Sequence, residues 1–355
     1  MYKEVLFNMR FEEKVVGKIK GKDVVSYTLT NDNGMKVSVL NYGGIITDII
    51  VPDKNNNFEN IVLKFKDIKS YEAPDSYLGA IVGRTAGRIS KGKFTINNKT
   101  YNLPINNGVN NLHGGMEGFS RRFWKGDFKE EKDKIKLTLS LKSRDGEEGF
   151  PGNLEVKVNY ILDNSNSLAL EYYGKSDKDT LVNMTNHSYF NLSGEDKENI
   201  LNHKLKINSD EYLPLDDSYA LKGIKEKVYK TPFDFKEFKI IEQDINKDDY
   251  QLNLAKGYDH PWILNNGKDS KVTLWNEENG RCMDVFTDNP SVVIYTANFG
   301  DKEVLTSGRS NETRRGICFE TQRPSIGINE AFKEQSILRA EEEYKVVTIF
   351  KFYLR

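Results

Sequence analysis

Residues 135–141 read Ile135-Lys136-Leu137-Thr138-Leu139-Ser140-Leu141, so apolar and polar side chains alternate with a period of two. Residues 154–162, Leu-Glu-Val-Lys-Val-Asn-Tyr-Ile-Leu, repeat the alternation after a turn-forming Asp145-Gly146 pair. Strands with one apolar and one polar face are typical of antiparallel sheets that cover a core on one side. The two segments are therefore predicted to be half-buried antiparallel strands.

Similar segments recur along the chain, rich in β-branched and aromatic residues and separated by Gly and Asn pairs. The further predicted strands span residues 24–29, 35–40, 45–51, 168–173, 292–295, 317–319 and 344–354. Helical periodicity is nearly absent, and only short helical turns are expected, near residues 66–71 and 241–247. The sequence therefore predicts an all-β protein, a large antiparallel β-sandwich.

The length of 355 residues is compatible with one domain or two. No composition shift, Ser/Pro linker or internal repeat marks a boundary, so a single domain over residues 1–355 is predicted. The 52 Lys and Arg residues are interleaved with 53 Asp and Glu residues, which argues against a nucleic-acid partner. A small neutral ligand fits this charge balance.

No run of residues approaches the roughly 18 apolar residues of a membrane span, and the start of the chain lacks the apolar segment of a secretory signal. A cytoplasmic protein without a membrane partner is therefore expected. Cys282 and Cys318 lie far apart and without CxxC spacing, which argues against a disulfide scaffold or a zinc ribbon. Both are predicted to be reduced, buried thiols.

Three of the four histidines stand in sequence contexts that suit a site, and two of these three are candidates for the chemistry itself. His113 precedes Gly114 and Gly115, which permit close backbone approach, although a turn histidine that ends a strand would have the same sequence. His187 lies in a polar cluster at residues 183–191 that interrupts an apolar pattern. A pKa of about 6.5 suits histidine to proton transfer near neutral pH. The alternative for His187 is a core histidine hydrogen-bonded by Asn183 or Tyr189.

A carboxylate, Glu320, follows the apolar run at residues 317–319, where a buried strand is expected. A buried Glu is rare unless it is paired or functional. The alternative is a structural ion pair with Arg323 or Arg315. Glu320 is therefore a candidate catalytic acid or base with a structural alternative.

Two further polar side chains are candidates for binding a ligand. Asp259 lies beside aromatic residues, although a turn Asp before His-Pro is the simpler interpretation. Arg88 offers planar donors for vicinal hydroxyls, and either it or Arg84 would serve equally as a surface ion-pair former. One or two of the neighbouring aromatic residues are expected to touch a ligand: Trp124, Trp262, Tyr189, Phe123 and Phe299.

Several catalytic signatures are absent from the sequence. It contains no GxGxxG, Walker, HExxH, GxSxG or EF-hand motif. The dinucleotide, nucleotide, zincin and serine-hydrolase classes therefore lack support. Acid/base chemistry without a cofactor remains.

A series of motifs, taken together and in order, carries a resemblance to a known family. The motifs are Asn41-Tyr42-Gly43-Gly44, Val82-Gly83-Arg84-Thr85-Ala86-Gly87-Arg88-Ile89, Asn111-Leu112-His113-Gly114-Gly115, Asp145-Gly146-Glu147-Glu148-Gly149-Phe150-Pro151-Gly152, Thr185-Asn186-His187-Ser188-Tyr189-Phe190-Asn191-Leu192, Thr231-Pro232-Phe233-Asp234-Phe235, Tyr258-Asp259-His260 and Glu320-Thr321-Gln322. In this order, and over most of the chain, the sequence resembles the aldose 1-epimerases (galactose mutarotases).

The resemblance implies a single mutarotase-like β-sandwich with an open cleft, in which the α and β anomers of a hexose interconvert without a cofactor or a metal. Position by position, Glu320 matches the family's general base and His187 its general acid. His113, Arg88 and Asp259 match its sugar-binding residues. An ionised Glu320 would take the anomeric proton while a protonated His187 gives one to the ring oxygen, which opens the ring.

The chain departs from the family pattern at three places. Gly87 stands where Asn is frequent, and Val293 where many members have a polar amide. After Asp216-Asp217, the run Ala220-Leu221-Lys222-Gly223 replaces the usual Ile-Pro-Thr-Gly. These departures concern specificity more than chemistry, so galactose is favoured over glucose only weakly and a distinct aldose is an alternative.

Three other functions are alternatives. His113, His187 and Glu320 would supply two imidazoles and a carboxylate to a metal-dependent β-barrel enzyme. A non-catalytic sugar-binding protein would keep the cleft without turnover, although the retention of Glu320 and His187 speaks against it. A sugar-phosphate epimerase of the same superfamily would need a basic cluster around the cleft. The oligomeric state, monomer or homodimer, is left open.

Overall fold

Strands dominate the computed structural model, which describes residues 9–72, 77–300 and 303–355. In chain order, the strands of these residues are β1 (Arg10–Ile19), β2 (Lys22–Thr30), β3 (Lys36–Leu40), β4 (Ile46–Pro52), β5 (Phe58–Asn60), β6 (Ile81–Val82), β7 (Arg88–Ile89), β8 (Lys93–Ile96), β9 (Lys99–Asn102), β10 (Asn111–Leu112), β11 (Lys125–Glu131), β12 (Lys134–Ser143), β13 (Leu154–Asp163), β14 (Ser167–Ser176), β15 (Thr180–Leu181), β16 (Thr185–Asn186), β17 (Tyr189–Phe190), β18 (Lys204–Ile207), β19 (Ser209–Tyr212), β20 (Glu226–Lys227), β21 (Lys239–Ile240), β22 (Asp259–Leu264), β23 (Val272–Trp275), β24 (Arg281–Thr287), β25 (Ser291–Tyr295), β26 (Ile317–Gln322), β27 (Ile337–Leu338) and β28 (Glu343–Leu354). Over the same described ranges there are two short α-helices, α1 (Glu242–Ile245) and α2 (Tyr250–Ala255). The 3₁₀ turns span Ile68–Glu72, Ser90–Gly92, Phe119–Arg121, Glu147–Gly149, Ile200–Asn202, Ile328–Glu330 and Lys333–Ser336.

Three sheets contain most of these strands. A five-stranded sheet has the order β1-β2-β3-β4-β5, a nine-stranded sheet β11-β12-β13-β14-β28-β24-β23-β18-β21, and a six-stranded sheet β17-β26-β25-β22-β19-β20. Every pairing within these sheets is antiparallel across the described residues. The predicted antiparallel all-β class is thereby confirmed.

The strand pair β12 and β13 has the predicted alternation. Along β12 the apolar side chains of Ile135, Leu137 and Leu139 are fully buried, while the intervening polar residues are partly exposed. Leu137 lies opposite Tyr160 of β13, and Leu139 lies opposite Val158. A register slip of one residue would turn all these side chains to solvent, so the apolar pattern fixes the register.

The main hydrophobic core joins all three sheets. It includes Leu137 and Phe350 of the nine-stranded sheet, Leu29 of the five-stranded sheet, and Trp262 and Phe319 of the six-stranded sheet. Sheets that bury apolar faces against one another in this way form a sandwich. The predicted sandwich architecture is confirmed, and it leaves the second face of the six-stranded sheet available for a site.

The predicted helical turns and thiols are also found. The turn expected near residues 66–71 is the 3₁₀ turn Ile68–Glu72, and α1 lies within residues 241–247, whereas α2 was not predicted. Cys282 and Cys318 are both buried, and neither forms a disulfide, as expected. None of the helices in the described part of the chain is long and apolar enough to cross a membrane. The start of the chain, residues 1–5, on which the expected absence of a secretory signal rests, lies outside the described residues.

Candidate active site

Neighbouring residues of the six-stranded sheet point alternately into the core and into a cavity. On β26, Phe319 packs into the main core, and Glu320 next to it lines the cavity. The same division separates Ile294 from Val293 on β25 and Trp262 from Pro261 on β22. Because side chains alternate across a strand, one sheet supports both the core and the site.

The cavity has a volume of about 320 Å³. It is lined by Phe65, Tyr77, Leu78, Gly87, Arg88, Asn107, Leu112, His113, His187, Tyr189, Leu215, Tyr219, Leu221, Asp259, Pro261, Val293, Tyr295, Ala297, Phe299, Gly300, Asn311, Glu320 and Ser325. All five residues predicted to form the site therefore meet in one cavity. Its size and its mixture of aromatic walls with a few polar groups are typical of a small-molecule site.

Glu320 lies deep in this cavity, and only 3% of its surface is exposed. Its carboxylate Oε1 is 3.4 Å from Nε2 of His187. The two arginines proposed as structural partners are engaged elsewhere: Arg315 pairs with Asp196, and Arg323 lies over the ring of Tyr344. Glu320 thus faces a histidine and the cavity.

His187 directly follows β16, and two hydrogen bonds join its backbone to the residues just before β6. Its N–H donates to the carbonyl of Ala80 at 2.9 Å, and its carbonyl accepts from the N–H of Gly79 at 3.0 Å. Nδ1 of the ring lies 3.5 Å from Sγ of Cys318, while Nε2 faces Glu320. The hydrogen bond from Asn183 that was considered as the alternative does not form, because the Asn183 amide bonds the backbone of Arg323.

Burial shifts the acidity of both groups in opposite directions. Burial raises the pKa of Glu320 to about 8, although the nearby Arg88 guanidinium opposes this rise. Burial lowers the pKa of His187 to about 4, although a hydrogen bond with the His187 backbone and, after it, the Asp259 carboxylate oppose this fall. Near neutral pH the pair therefore holds one proton, and burial favours its position on Glu320. A single proton shared by an acid and a base is what a proton-transfer pair requires.

His113 is fixed in one tautomer. It adopts the left-handed backbone region with φ of 52°, and its Nδ1 accepts a hydrogen bond from the N–H of Gly87 at 3.2 Å. Burial, with His187 and Arg88 nearby, lowers its pKa well below the usual value, so the ring is neutral. With Nδ1 an acceptor, the proton is on Nε2, which makes His113 a hydrogen-bond donor.

The turn after His113 requires glycine. Gly114 has φ of 85°, and a Cβ atom there would lie 2.0 Å from the carbonyl oxygen of Gly83. The two glycines noted in the sequence therefore permit the close approach that aims His113 at the cavity.

Arg88 and Asp259 supply a second pair of charged groups to the cavity lining. Nε of Arg88 donates to Oδ1 of Asn107 at 2.9 Å, and its NH1 lies 3.7 Å from Oδ2 of Asp259. The Arg88 guanidinium also lies 5.2 Å from the ring centre of Tyr219. Burial raises the pKa of Asp259 to about 6, and Arg88 opposes that shift. Both groups remain partly exposed to the cavity, where hydroxyl groups of a ligand can reach them.

Several other sequence candidates have structural roles. Arg84 is 2% exposed and donates to the backbone oxygens of Ser143, Pro151 and Gly152, so it is neither a surface ion-pair former nor a ligand-binding residue. Of the five aromatic residues, two line the cavity, Tyr189 and Phe299. The remaining three pack within the protein: Trp124, Trp262 and Phe123.

Sequence reasoning missed some of the lining residues. Asn107, Tyr77, Tyr295, Tyr219 and Ser325 all line the cavity. For Asn107, the Asn-rich turn just before His113 was a usable signal. Tyr295 ends the apolar run 292–294, a pattern that also fits a core, and Tyr77 and Tyr219 follow polar segments typical of surface turns, so the sequence offered no signal for the three tyrosines.

The ligand atoms of His113, His187 and Glu320 all lie within 4.8 Å of one another, so these residues could hold a divalent cation. A histidine that ligates a metal through one ring nitrogen donates the N–H of the other. If Nε2 of His113 ligated a metal, Nδ1 would have to carry the proton and donate it. Nδ1 instead accepts a hydrogen bond from the Gly87 amide. The hydrogen bonding of His113 therefore opposes metal ligation through Nε2.

The charge of the lining bears on the sugar-phosphate alternative. Among the described lining residues, Arg88 is the only Lys or Arg, and it already contacts Asn107 and Asp259. Phosphate sites typically gather several charge-assisted donors. The described lining thus suits a neutral ligand better than a phosphorylated one.

Comparisons with known proteins extend over most of the chain. A family model described as aldose 1-epimerase matches residues 25–351. The chain is 36% identical over 339 residues to a galactose mutarotase of Mus musculus, covering 94% of this chain and 95% of that protein. It is 37% identical over 297 residues to an aldose 1-epimerase of Haemophilus influenzae, covering 83% and 85%. The crystal structure of a galactose 1-epimerase from Lactobacillus acidophilus superposes with a TM-score of 0.88 at 32% identity, covering 98% and 99%.

Proposed function

The chain belongs to the aldose 1-epimerase family and is an isomerase that interconverts the anomers of free sugars, and we propose that its substrate is a hexose such as galactose or glucose. The resemblance drawn from the sequence motifs is confirmed. We further propose Glu320 as the general base and His187 as the general acid. Arg88, His113 and Asp259 are proposed to bind and orient the sugar.

One observation carries the catalytic assignment: Oε1 of Glu320 and Nε2 of His187 are 3.4 Å apart inside the cavity. Opening a pyranose ring requires a base at the anomeric hydroxyl and an acid at the ring oxygen. Both oxygens are bonded to the same carbon, C1, so the two catalytic groups must converge. A carboxylate and an imidazole at this separation meet that requirement.

The proposed reaction transfers two protons and changes no oxidation state. The Glu320 carboxylate takes the proton of the anomeric hydroxyl, the C1–O5 bond breaks as C1=O1 forms, and His187 gives its Nε2 proton to O5. Rotation about C1–C2 presents the other face of the aldehyde. Ring closure reverses both transfers and returns Glu320 and His187 to their starting states, so neither metal nor nucleotide is consumed.

Without a bound sugar, the shared proton is on Glu320, whereas the reaction step needs it on His187. Burial favours a protonated Glu320 and a neutral His187. Arg88 favours the Glu320 carboxylate, and Asp259 favours the His187 imidazolium. Sugar hydroxyls that donate to the carboxylate would add to this bias. We propose that sugar binding moves the proton across the 3.4 Å gap and so prepares the pair.

The remaining lining gives each part of a hexose a partner. Arg88 and Nε2–H of His113 donate to sugar oxygens, and Asp259 accepts from sugar hydroxyls. Tyr189 and Phe299 offer aromatic surface to the apolar face of the ring. A cytoplasmic location, a single domain, and a monomer or homodimer remain part of this proposal.

Polarimetry of freshly dissolved α-D-galactose tests the proposal. The wild-type protein should accelerate mutarotation well above the buffer rate. Glu320→Gln and His187→Asn should each lose about 100- to 10,000-fold in kcat while keeping the fold, because each removes one proton-transfer group. Glu277→Gln, a change of the same kind at an exposed carboxylate, is the matched control. Near-normal turnover in Glu320→Gln or His187→Asn would refute the assignment.

The same assay separates the alternatives. A non-catalytic sugar-binding protein would bind galactose, measurable by calorimetry, without accelerating mutarotation. A sugar-phosphate epimerase would act on galactose 6-phosphate or glucose 6-phosphate and leave the free sugars at the buffer rate. Acceleration with the free sugars alone supports the function proposed here.

A further inference from the structure

Gly87 and Ser325 occupy the same corner of the cavity, next to Arg88. Gly87 has φ of +70°, and a Cβ atom built on it would lie 1.8 Å from Oγ of Ser325 and 2.9 Å from its Cβ. These separations are far below van der Waals contact, so the Ser325 side chain fills the space that a side chain at residue 87 would enter. Only one of the two positions can project a group into this corner.

The backbone fixes this arrangement. Asn183 clamps the segment that precedes Ser325, since its amide donates to the carbonyl of Arg323 at 2.8 Å and accepts from the N–H of Arg323 at 2.9 Å. The carbonyl of Asn183 accepts from the N–H of Ala86, just before Gly87. One residue thus ties both segments together and holds Ser325 against Gly87.

The hydrogen bonds of Ser325 leave its hydroxyl proton available. Nε2 of Gln322 lies 3.2 Å from the carbonyl of Arg323 and 3.3 Å from Oγ of Ser325. A carbonyl only accepts, so the amide NH₂ group must face both atoms, and Oγ of Ser325 receives a hydrogen bond. Within the described residues Oγ has no second partner, and Ser325 is 8% exposed where it lines the cavity.

We propose that Ser325 is a substrate-binding residue that donates its hydroxyl hydrogen to one hydroxyl of the sugar on the Arg88 side of the cavity. It supplies this contact from the place that a side chain at residue 87 would otherwise take. The inference rests on the proposed function, because it assigns a specificity contact within the same site. Glycine at position 87 is then required for the Ser325 contact. The replacement of the family's frequent Asn by Gly87 exchanges one possible sugar contact for another.

Substrate kinetics with Ser325→Ala test the contact. KM for galactose should rise about three- to tenfold, the effect of one neutral hydrogen bond, while kcat changes less than about twofold. Ser336→Ala is the matched control, since Ser336 is also buried but lies outside the cavity lining. Thermal unfolding of each variant checks that the fold is retained.

A series of deoxy sugars identifies the bound hydroxyl. The loss of affinity caused by Ser325→Ala should disappear for one of 2-deoxy-, 3-deoxy-, 4-deoxy- and 6-deoxygalactose, the sugar that lacks the bound hydroxyl, and should persist for the other three. A loss caused by Ser325→Ala that is equally large with every sugar in the series would overturn the contact. An unchanged KM for galactose in a folded Ser325→Ala would overturn it as well.

A pair of variants at residue 87 tests the shared space independently. Asn tolerates the left-handed backbone better than other non-glycine residues, so Gly87→Asn introduces a side chain with limited strain. Gly87→Asn should reduce kcat/KM because its side chain collides with Ser325. Gly87→Asn combined with Ser325→Gly should recover most of that loss, and a combined variant no better than Gly87→Asn would overturn the inference.

The proposed function fails separately from this inference. If wild-type protein does not accelerate mutarotation of any free hexose, the proposed function is wrong and Ser325 has no role in it. If wild-type protein is active and the Ser325 and Gly87 variants behave contrary to the expected results, only the Ser325 contact is overturned.

Discussion

Cys318 and Glu320 lie on the same face of β26 and contact opposite nitrogens of His187, Sγ of Cys318 at 3.5 Å from Nδ1 and Oε1 of Glu320 at 3.4 Å from Nε2. Residues two apart on a strand share a face, so one strand brackets the imidazole. Burial, with Glu320 and Asp259 nearby, raises the pKa of the Cys318 thiol well above its usual value, so the sulfur stays protonated. A thiol is a weak acceptor for the Nδ1–H of an imidazolium, so Cys318 does little to stabilise the charged form of His187.

Cys318→Ser should make His187 easier to protonate. A hydroxyl oxygen accepts the Nδ1–H of an imidazolium better than a thiol does, so the charged form gains one hydrogen bond. A hydrogen bond of about 0.5–1.5 kcal/mol corresponds to a rise of about 0.4–1 unit in the pKa of His187. NMR titration of the His187 ring measures the shift directly.

Cys318→Ala and Cys282→Ser are the controls. The first removes the partner of Nδ1 without supplying an acceptor, and the second makes the same chemical change at the other buried thiol, outside the cavity lining. Neither should raise the pKa of His187. If Cys318→Ser leaves that pKa unchanged, the sulfur contact does not control the acidity of the imidazole.

The pH dependence of kcat/KM should follow the single shared proton. The pKa of His187 is about 4 and that of Glu320 about 8, so the pair holds one proton between these values. Below about pH 4 the pair gains a second proton and loses its base; above about pH 8 it loses its only proton and its acid. Activity should therefore be highest between about pH 5 and 7.

Polarimetry from pH 3.5 to 9.5, with the buffer rate subtracted at each pH, measures this profile. Asp259 titrates within the plateau, with a pKa raised to about 6, so Asp259→Asn serves as a second enzyme form in which that titration is absent. A kcat/KM that continues to rise through pH 9 would contradict the shared-proton description.

Asn107 should act by positioning Arg88. Its Oδ1 is the acceptor for Nε of Arg88 at 2.9 Å, while the NH1 side of the guanidinium faces Asp259. Asn107→Leu removes that acceptor and should raise KM about three- to tenfold with little change in kcat. Asn107→Asp keeps an acceptor for Nε and should restore KM to near the wild-type value. A kcat loss in Asn107→Leu as large as that of Glu320→Gln would contradict a positioning role.

Sequence patterns predicted the sandwich, and they selected five residues that line one cavity in the structure. Period-two alternation identified the half-buried strands, such as β12, and motif order identified Glu320 and His187. Strand β1 was missed because most of its residues are exposed, so it has no apolar face to alternate. Its place at the sheet edge comes from backbone pairing with β2, which sequence patterns do not record.

The missing parts of the site depend on long-range geometry. The tautomer of His113 follows from the Gly87 amide, 26 residues away in sequence, and the relation of Gly87 to Ser325 spans more than 200 residues. Burial raises the pKa of Glu320 and lowers that of His187. The sequence predicted burial only for the strand that carries Glu320. Spatial proximity between distant segments decided each of these features.

Catalysis should not depend on a bound metal. The proposed reaction needs only the two proton-transfer groups, and the Gly87 amide opposes ligation by His113. Protein dialysed against EDTA and then freed of the chelator should keep its full mutarotation rate, with metal content checked by mass spectrometry. A rate that falls with metal removal and returns with added Zn²⁺ or Mn²⁺ would support the metal-dependent alternative.

Between pH 6.5 and 7.5, the contribution of Glu320 to the free energy of unfolding should fall as the pH rises. Its folded pKa is about 8 and an unfolded Glu titrates near 4.3, so in this window the folded state holds a proton that the unfolded state has lost. When the native state binds more protons, the free energy of unfolding decreases with pH, here by about 1.4 kcal/mol per pH unit. Burial lowers the folded pKa of all four histidines, His113, His187, His203 and His260, and they contribute in the opposite direction, most strongly below about pH 6.5. The Glu320 contribution is therefore measured as a difference between two proteins that share these histidines.

Glu320→Gln isolates this effect, since an amide does not titrate. The free energy of unfolding of Glu320→Gln, minus that of the wild type, should increase by about 1.4 kcal/mol for each pH unit between 6.5 and 7.5. Chemical denaturation at several pH values measures the difference, and Glu277→Gln, at an exposed carboxylate, should show no such trend. A constant difference across the window would mean that Glu320 is already ionised at pH 6.5, and the base would then need no proton transfer to His187 before it acts.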